Sequence, residues 1–407
     1  MKTRILIIGL VVLMLAVAPA SGMIIGVTWN QSDSSPSAFS SYWGAGYAPI
    51  ATPDFNATEP WASMGRVVIN GQTMVWLIKS YYRTENYTVG SNHYMNFSIS
   101  DVPAPGYTTD PAFVINGTEI PGLYIGAFEA SAYNVTTGTY VGDPASVNSQ
   151  PGGDRLASVA GQKPFSGLGK ASLTMAGFRN MSHNIGVGWE LQPFTGISVI
   201  QRMYIIEHRN WNSQSVIGTG VTQITEDGAT NMAIPTVLSA GSGANSTNCG
   251  NYTCSIATVH YQTGQATNQV SYRGIEGQIG NIVEFIDGIN IKADHNPWIA
   301  NYAFTTDTFS GSYSDTGVTL YTLDGYASDL AYASGFNFSF LPKTTGGSST
   351  TYITDYCTQA AGNRIVRYGG SWSDTTGAGL CSYFLHSASN TVSRTTGARL
   401  AFTPPLY

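Results

Sequence analysis

The chain has 407 residues, of which only 10% are charged, 12% are aromatic and 46 are glycine, with a formal net charge of −6. Few Glu and Lys beside abundant Tyr, Thr, Val and Gly argue for short strands and long ordered loops, not for a helical bundle. A net negative chain offers no basic field for a phosphate backbone, which excludes nucleic acid as the expected partner.

The first element is Met1-Lys2-Thr3-Arg4, an apolar run from Ile5 to Val17, and Ala18-Pro19-Ala20. A charged start, an apolar middle and a small-residue cleavage site in that order predict a signal peptide over residues 1–20. The run is shorter than the roughly 20 residues that a bilayer-spanning helix needs. The expected mature protein is therefore secreted, at a cell or virion surface, with no membrane span after signal cleavage. Residues 21–65 read as an N-terminal extension and 66–407 as one domain.

Arg66 to Ile69 and Met74 to Ile78 have the apolar character of buried strands, and Asn70-Gly71 between them is a hairpin signal. Tyr94 to Ser100 alternates as a half-buried strand does, and the Pro- and Gly-punctuated stretch from Pro103 to Pro111 reads as a loop. Helical periodicity occurs near Ser172 to Met181 and from Ile197 to His208, with Thr195 as the expected N-cap of the second helix. After Gly220 strand-and-turn character returns. Two helices among many short strands predict an α+β fold with long ordered loops.

Ten Asn-x-Ser/Thr sequons, at Asn30, Asn56, Asn86, Asn96, Asn116, Asn134, Asn180, Asn245, Asn251 and Asn337, fit a glycosylated exterior. Four cysteines in an exported chain favour two disulfides over metal ligation, and sequence proximity suggests Cys249 with Cys254 and Cys357 with Cys381. The other two connectivities stay open.

The run Gly280-Asn281-Ile282-Val283-Glu284-Phe285-Ile286-Asp287-Gly288 resembles the Gly-Asn-Val-Trp-Glu-Trp signature of the formylglycine-generating-enzyme-like branch of the C-type lectin fold. Gly369-Gly370-Ser371-Trp372 and Gly397-Ala398-Arg399-Leu400 look like the Gly-Gly-Ser-Trp and Gly-Phe-Arg-Leu elements that bracket its ligand face. Upstream, Met74 to Arg83, Pro111 to Val114, Tyr124 to Phe128, Tyr204 to Glu207 and Asn212 to Gln214 resemble tailed-phage tail-fibre and structural proteins with such C-termini. That family is related to the variable proteins of diversity-generating retroelements, the major tropism determinant among them. The resemblance implies a C-type-lectin-like domain, a ligand-binding segment at about 364–400, and homo-oligomers, trimeric in phage relatives.

Glu284 inside an apolar run needs a partner, and Arg399 or Arg364 is the expected one; Asn281, Glu284, Asp287, Arg364 and Arg399 read as a structural network. Trp372, Ser373, Asp374, Thr375, Tyr383, His386, Ser389, Asn390 and Arg394 read as the ligand set, because aromatics with Ser and Asn on a small-residue frame make an adaptable contact surface. The expected function is binding of a protein or glycan receptor on another cell or particle, as an adhesin or tail-fibre-like protein. The alternatives are a structural component of an envelope or virion and, less favoured, an oxidase like the family's namesake. That oxidase uses two closely spaced cysteines near its Gly-Gly-Ser element, where this chain carries Cys381 only. The six histidines are scattered singly, and no Asp-x-Asp-x-Asp-Gly loop occurs. No catalytic residue, metal or cofactor is therefore expected.

Overall fold

The computed structural model describes residues 22–141, 143–167, 170–223, 254–257, 268–302, 304 and 307–404. The expected signal peptide, Asn245, Cys249 and Asn251 lie outside the described residues, and Cys254 is described only as backbone in a strand.

Strand β1 (Ile24–Asn30) is followed by β2 (Arg66–Ile69), β3 (Gln72–Ile78), β4 (Tyr81–Val89), β5 (Asn92–Ser100) and β6 (Gly122–Gly126). Next come helix α1 (Met175–His183), β7 (Trp189–Leu191), α2 (Phe194–His208) and the short α3 (Ser213–Ile217). The C-terminal part supplies β8 (Val283–Ile291), β9 (Gly325–Leu330), β10 (Tyr356–Gln359), β11 (Arg364–Tyr368), β12 (Tyr383–Ser387), β13 (Thr396–Ala398) and β14 (Leu400–Phe402). The chain is thus mostly β with few helices, compatible with the α+β expectation.

The β2–β3 hairpin turns at Asn70 (φ 48°) and Gly71 (φ 78°), the two positive φ angles that a type I′ turn requires and that Asn-Gly tolerates. β1 pairs along its whole length with β5, from Ile24 opposite Ser100 to Asn30 opposite Tyr94, and β4 closes the other side of β5. Ile25, Val27 and Trp29 of β1 are completely buried, and Trp29 meets the Trp211 ring edge-on at 5.0 Å. Ile25, Val27, Trp29, Phe55, Trp61 and Met64 thus share a hydrophobic core with α2 and with strands of the C-terminal part.

Helix α2 is buried on every face from Phe194 to Ile206, its polar Thr195, Ser198, Gln201 and Arg202 included. Its N-cap position is Pro193, with no side-chain cap, and the expected cap Thr195 lies inside its first turn. Its polar side chains tie distant parts together. Arg202 Nη1 donates to Thr84 Oγ1 (2.8 Å) and Nη2 to the Phe338 carbonyl (3.0 Å), while Gln201 accepts from the Tyr383 hydroxyl (3.0 Å).

Two sheets position the C-terminal segment. In one, the order is β7–β14–β6–β3–β2. In the larger one β8, β11, β12, β10 and β9 are consecutive, with β13 parallel to β8 and β10 parallel to β12. Among the described residues no helix is long and apolar enough to cross a membrane.

Candidate ligand-binding face

The two glycine-bracketed elements meet. Gly280 N donates to the Gly369 carbonyl (3.1 Å), and Trp372 N to the Asn281 carbonyl (3.0 Å). Gly369 and Gly370 hold φ near 94° and 92°, and a Cβ on Gly370 would stand 2.5 Å from that of Ala378. Only glycine fits both constraints, which explains the pair ahead of Ser371.

Beneath this turn lies a closed polar network. Arg399, with none of its surface exposed, bridges Glu284 (2.6 Å) and donates to the carbonyls of Gly126 (3.0 Å) and Glu276 (2.8 Å). Asn281, held at φ 64°, donates its amide to Glu129, and the Ile282 amide reaches the same carboxylate at 3.2 Å. Burial lifts Glu129 far above the usual carboxylate range, and the neighbouring Glu284 adds to it. Burial also lifts Glu284, against the pull of Arg399. Asp287 belongs to a separate pair: Arg179 of α1 grips it with two bonds, of 2.8 and 2.7 Å, and also reaches Asp307 at 2.8 Å. Arg364 corrects the expectation, because its guanidinium turns back to the carbonyls of Ala361 and Asn363 and takes no part in the network. Arg364 is the first residue of β11, at the end of the strand next to its own loop, where the loop carbonyls are within reach and the core is not.

The expected ligand set divides in two. Trp372 and Tyr383 are fully buried, and Arg394 is 9% exposed with its guanidinium over the Trp372 ring at 5.6 Å. These three are floor, not contact surface. The strand period gives the reason: Tyr383 and Leu385 of β12 point inward, so Phe384 and His386 point outward. Asp374 is half-buried and accepts from the Ser371 amide (2.7 Å) and hydroxyl (2.9 Å), pinning the turn. Ser373, Thr375, His386, Ser389 and Asn390 remain exposed.

Between the exposed loops the outer sheet face carries residues that the sequence pattern does not single out. Half-buried Tyr326 and Tyr356 meet edge-on at 5.2 Å, and Tyr326 shares a hydrogen bond with Thr376 (3.1 Å). Arg367 of β11 donates to His386 Nε2 (2.7 Å) and to Thr396 Oγ1 (2.6 Å), and it lies 5.8 Å from the Phe384 ring centre. An arginine only donates, so His386 Nε2 must accept; Nδ1 then carries the proton toward Thr358 Oγ1 at 2.5 Å. Burial first, and then the charge of Arg367, push the His386 imidazole down to about 4. Burial likewise lowers Arg367 to about 10. His386 is therefore neutral across the physiological range. The period-2 spacing of Tyr356 with Thr358 and of Phe384 with His386 was the available signal for this face.

The expected Cys357–Cys381 bridge is not formed: both are free, buried thiols, and Cys357 Sγ donates to the Cys381 carbonyl at 3.4 Å. Burial pushes Cys357 up to about 12 and Cys381 well above its ordinary value, so neither offers a thiolate near neutral pH. Below them Asp355, raised by burial to about 7, accepts from the Cys381 amide at 2.6 Å. Among the described residues no group of three or more His, Cys, Asp and Glu is arranged to hold a metal.

Of the described sequons, Asn56, Asn86 and Asn116 are exposed, and Asn30, Asn134, Asn180 and Asn337 are partly so. Asn96 is a correction. It is 4% exposed, accepts from Thr28 Oγ1 (2.7 Å) and donates to Glu85 (3.1 Å), so the folded chain has no room for a glycan there.

No protein-family model matches the chain, and no curated protein is significantly similar to it.

Proposed function

We propose that the chain is an exported display protein that binds a protein or glycan receptor on another cell or particle through the outer face of β10, β12 and β11 and the loops that flank it. The scaffold in this reading is C-type-lectin-like, and homo-oligomerisation comes with the same resemblance. The observation that carries the reading is the division at Gly370. Within the segment after it, Trp372, Tyr383 and Arg394 are buried with the ion-paired core, and Ser373, Thr375, Ser389 and Asn390 are exposed. A rigid floor under short polar side chains lowers the ordering cost of binding. Half-exposed Tyr326, Tyr356 and Phe384 supply the contact area that Trp372 and Tyr383 do not. The raised thiols of Cys357 and Cys381 favour a binder over an oxidase.

The test is saturable binding of the fluorescently labelled mature protein to arrayed cell-surface proteins and glycans. At least one target should be retained, and Thr375→Glu with Ser389→Glu should weaken it tenfold or more at unchanged melting temperature. Retention of nothing, or binding indifferent to both substitutions, contradicts the proposal.

A further inference from the structure

Four tyrosines stand out as exposed large side chains among the described residues, and three of them, Tyr47 (44% exposed), Tyr87 (39%) and Tyr332 (39%), line one surface hollow of about 550 Å³. Glu85, Asn86 and Asn96 complete its wall. The β4–β5 hairpin supplies Glu85, Asn86, Tyr87 and Asn96, and the lining shares no residue with the face after Gly370. A second hollow of about 390 Å³, which includes Gln31, His93, Asp329 and Tyr352, shares Asn86 with the first. Scattered exposed apolar side chains are ordinary, whereas exposed ones gathered in one patch mark interaction sites.

The site is built. Tyr87 stacks on Tyr94 at 5.6 Å with planes 22° apart, so the ring is held in place. The Tyr332 hydroxyl is tied to the Thr84 carbonyl at 3.3 Å, and Tyr47 is backed by Trp43 at 4.7 Å. Glu85 accepts from the Tyr47 hydroxyl, from Arg83 at 2.5 Å and from buried Asn96 at 3.1 Å. Burial opposes its charge, but these donors hold the carboxyl below its ordinary range. Among the described residues none hydrogen-bonds the Asn86 amide, which is exposed between the two hollows.

Fixed aromatic rings offer flat apolar faces, while a carboxylate and an amide beside them accept and donate across short distances. A pyranose ring presents the complement: an apolar face of axial C–H bonds and a rim of hydroxyl pairs. The lining of the two hollows includes no lysine or arginine, and Arg83 is already paired with Glu85, so an anionic sugar would find no cation to meet it. We infer that this tyrosine-lined groove is a carbohydrate-binding site for neutral oligosaccharides, with rings seated on Tyr87 and Tyr332 and hydroxyls held by Glu85 and Asn86. The groove shares no lining residue with the C-terminal face.

Asn86 is itself a sequon, Asn86-Tyr87-Thr88. A glycan attached there would occupy the groove from within, so the test uses Thr88→Ala, which abolishes the acceptor and keeps the amide. The probes are maltohexaose, cellohexaose and chitohexaose, titrated by calorimetry into the full mature chain with Thr88→Ala. At least one should bind with millimolar or better affinity, and Tyr87→Ala and Tyr332→Ala should each weaken it roughly tenfold without lowering the melting temperature. Thr375→Glu with Ser389→Glu should leave it unchanged. Failure of all three sugars, or binding that survives both tyrosine substitutions, overturns the inference, and sensitivity to the C-terminal pair instead moves the sugar to that face.

Discussion

Arg399→Ala will destabilise the chain by about 3–5 kcal/mol, read as a shift of the denaturant midpoint. The guanidinium is fully enclosed and is the ion-pair partner of Glu284, which is itself 3% exposed. Removing it also strands the carbonyls of Gly126 and Glu276. The loss depends on pH with a definite sign. Without Arg399, buried Glu284 and Glu129 stay inside only as neutral acids, so their folded-state pKa values rise further above the unfolded ones. A raised carboxyl contributes stability that is present below its unfolded pKa and disappears as pH climbs through the folded value. The variant should therefore be closest to the parent near pH 5 and worst near pH 8, and adding Glu284→Gln should recover part of the deficit. A variant equally stable at both pH values would mean that Arg399 does not hold these carboxyls.

Trp372→Ala will cost a similar amount, about 3–5 kcal/mol, because a fully buried indole leaves a cavity that Val221 and Ile282 fill incompletely. The Arg394 guanidinium would lose its aromatic surface at the same time. Thermal melting of the purified variant measures this. Any accompanying loss of ligand binding would follow from a collapsed floor, not from a lost contact. A Trp372→Ala protein that melts with the parent and yet fails to bind would return Trp372 to the contact surface.

How much of this was legible in the sequence depended on the range of the signal. Asn70-Gly71 between two apolar runs specified its hairpin, since the turn chemistry is local. The need of Glu284 for a cation was equally plain, and Arg399 met it. The choice between Arg399 and Arg364 was not legible, because it turns on which arginine the sheet order carries inside. Arg179, the partner of Asp287, comes from a helix 108 residues away and leaves no mark near Asp287. Trp372 and Tyr383 looked like contact residues because aromatics serve cores and interfaces alike. Only the strand phase, with Tyr383 in and His386 out, separates the two roles. The pairing of Cys357 with Cys381 is not legible for a related reason: closeness in the chain does not set the geometry that a disulfide requires. The tyrosine groove gathers Tyr47, Tyr87 and Tyr332 from three separate segments, and no sequence window contains them.

The proposed binding face requires a frame that tolerates little change beneath a surface that tolerates much. The most direct measurement is the melting temperature of a single protein carrying Ser373→Ala, Thr375→Ala, Ser389→Ala and Asn390→Ala together. Exposed positions away from buried networks each contribute within about 0.5 kcal/mol. The four-fold variant is therefore predicted to melt cooperatively within about 2 °C of the parent, while Arg399→Ala alone falls far below both. A four-fold variant as unstable as Arg399→Ala would show that these residues belong to the frame, and the face would have no free surface to present.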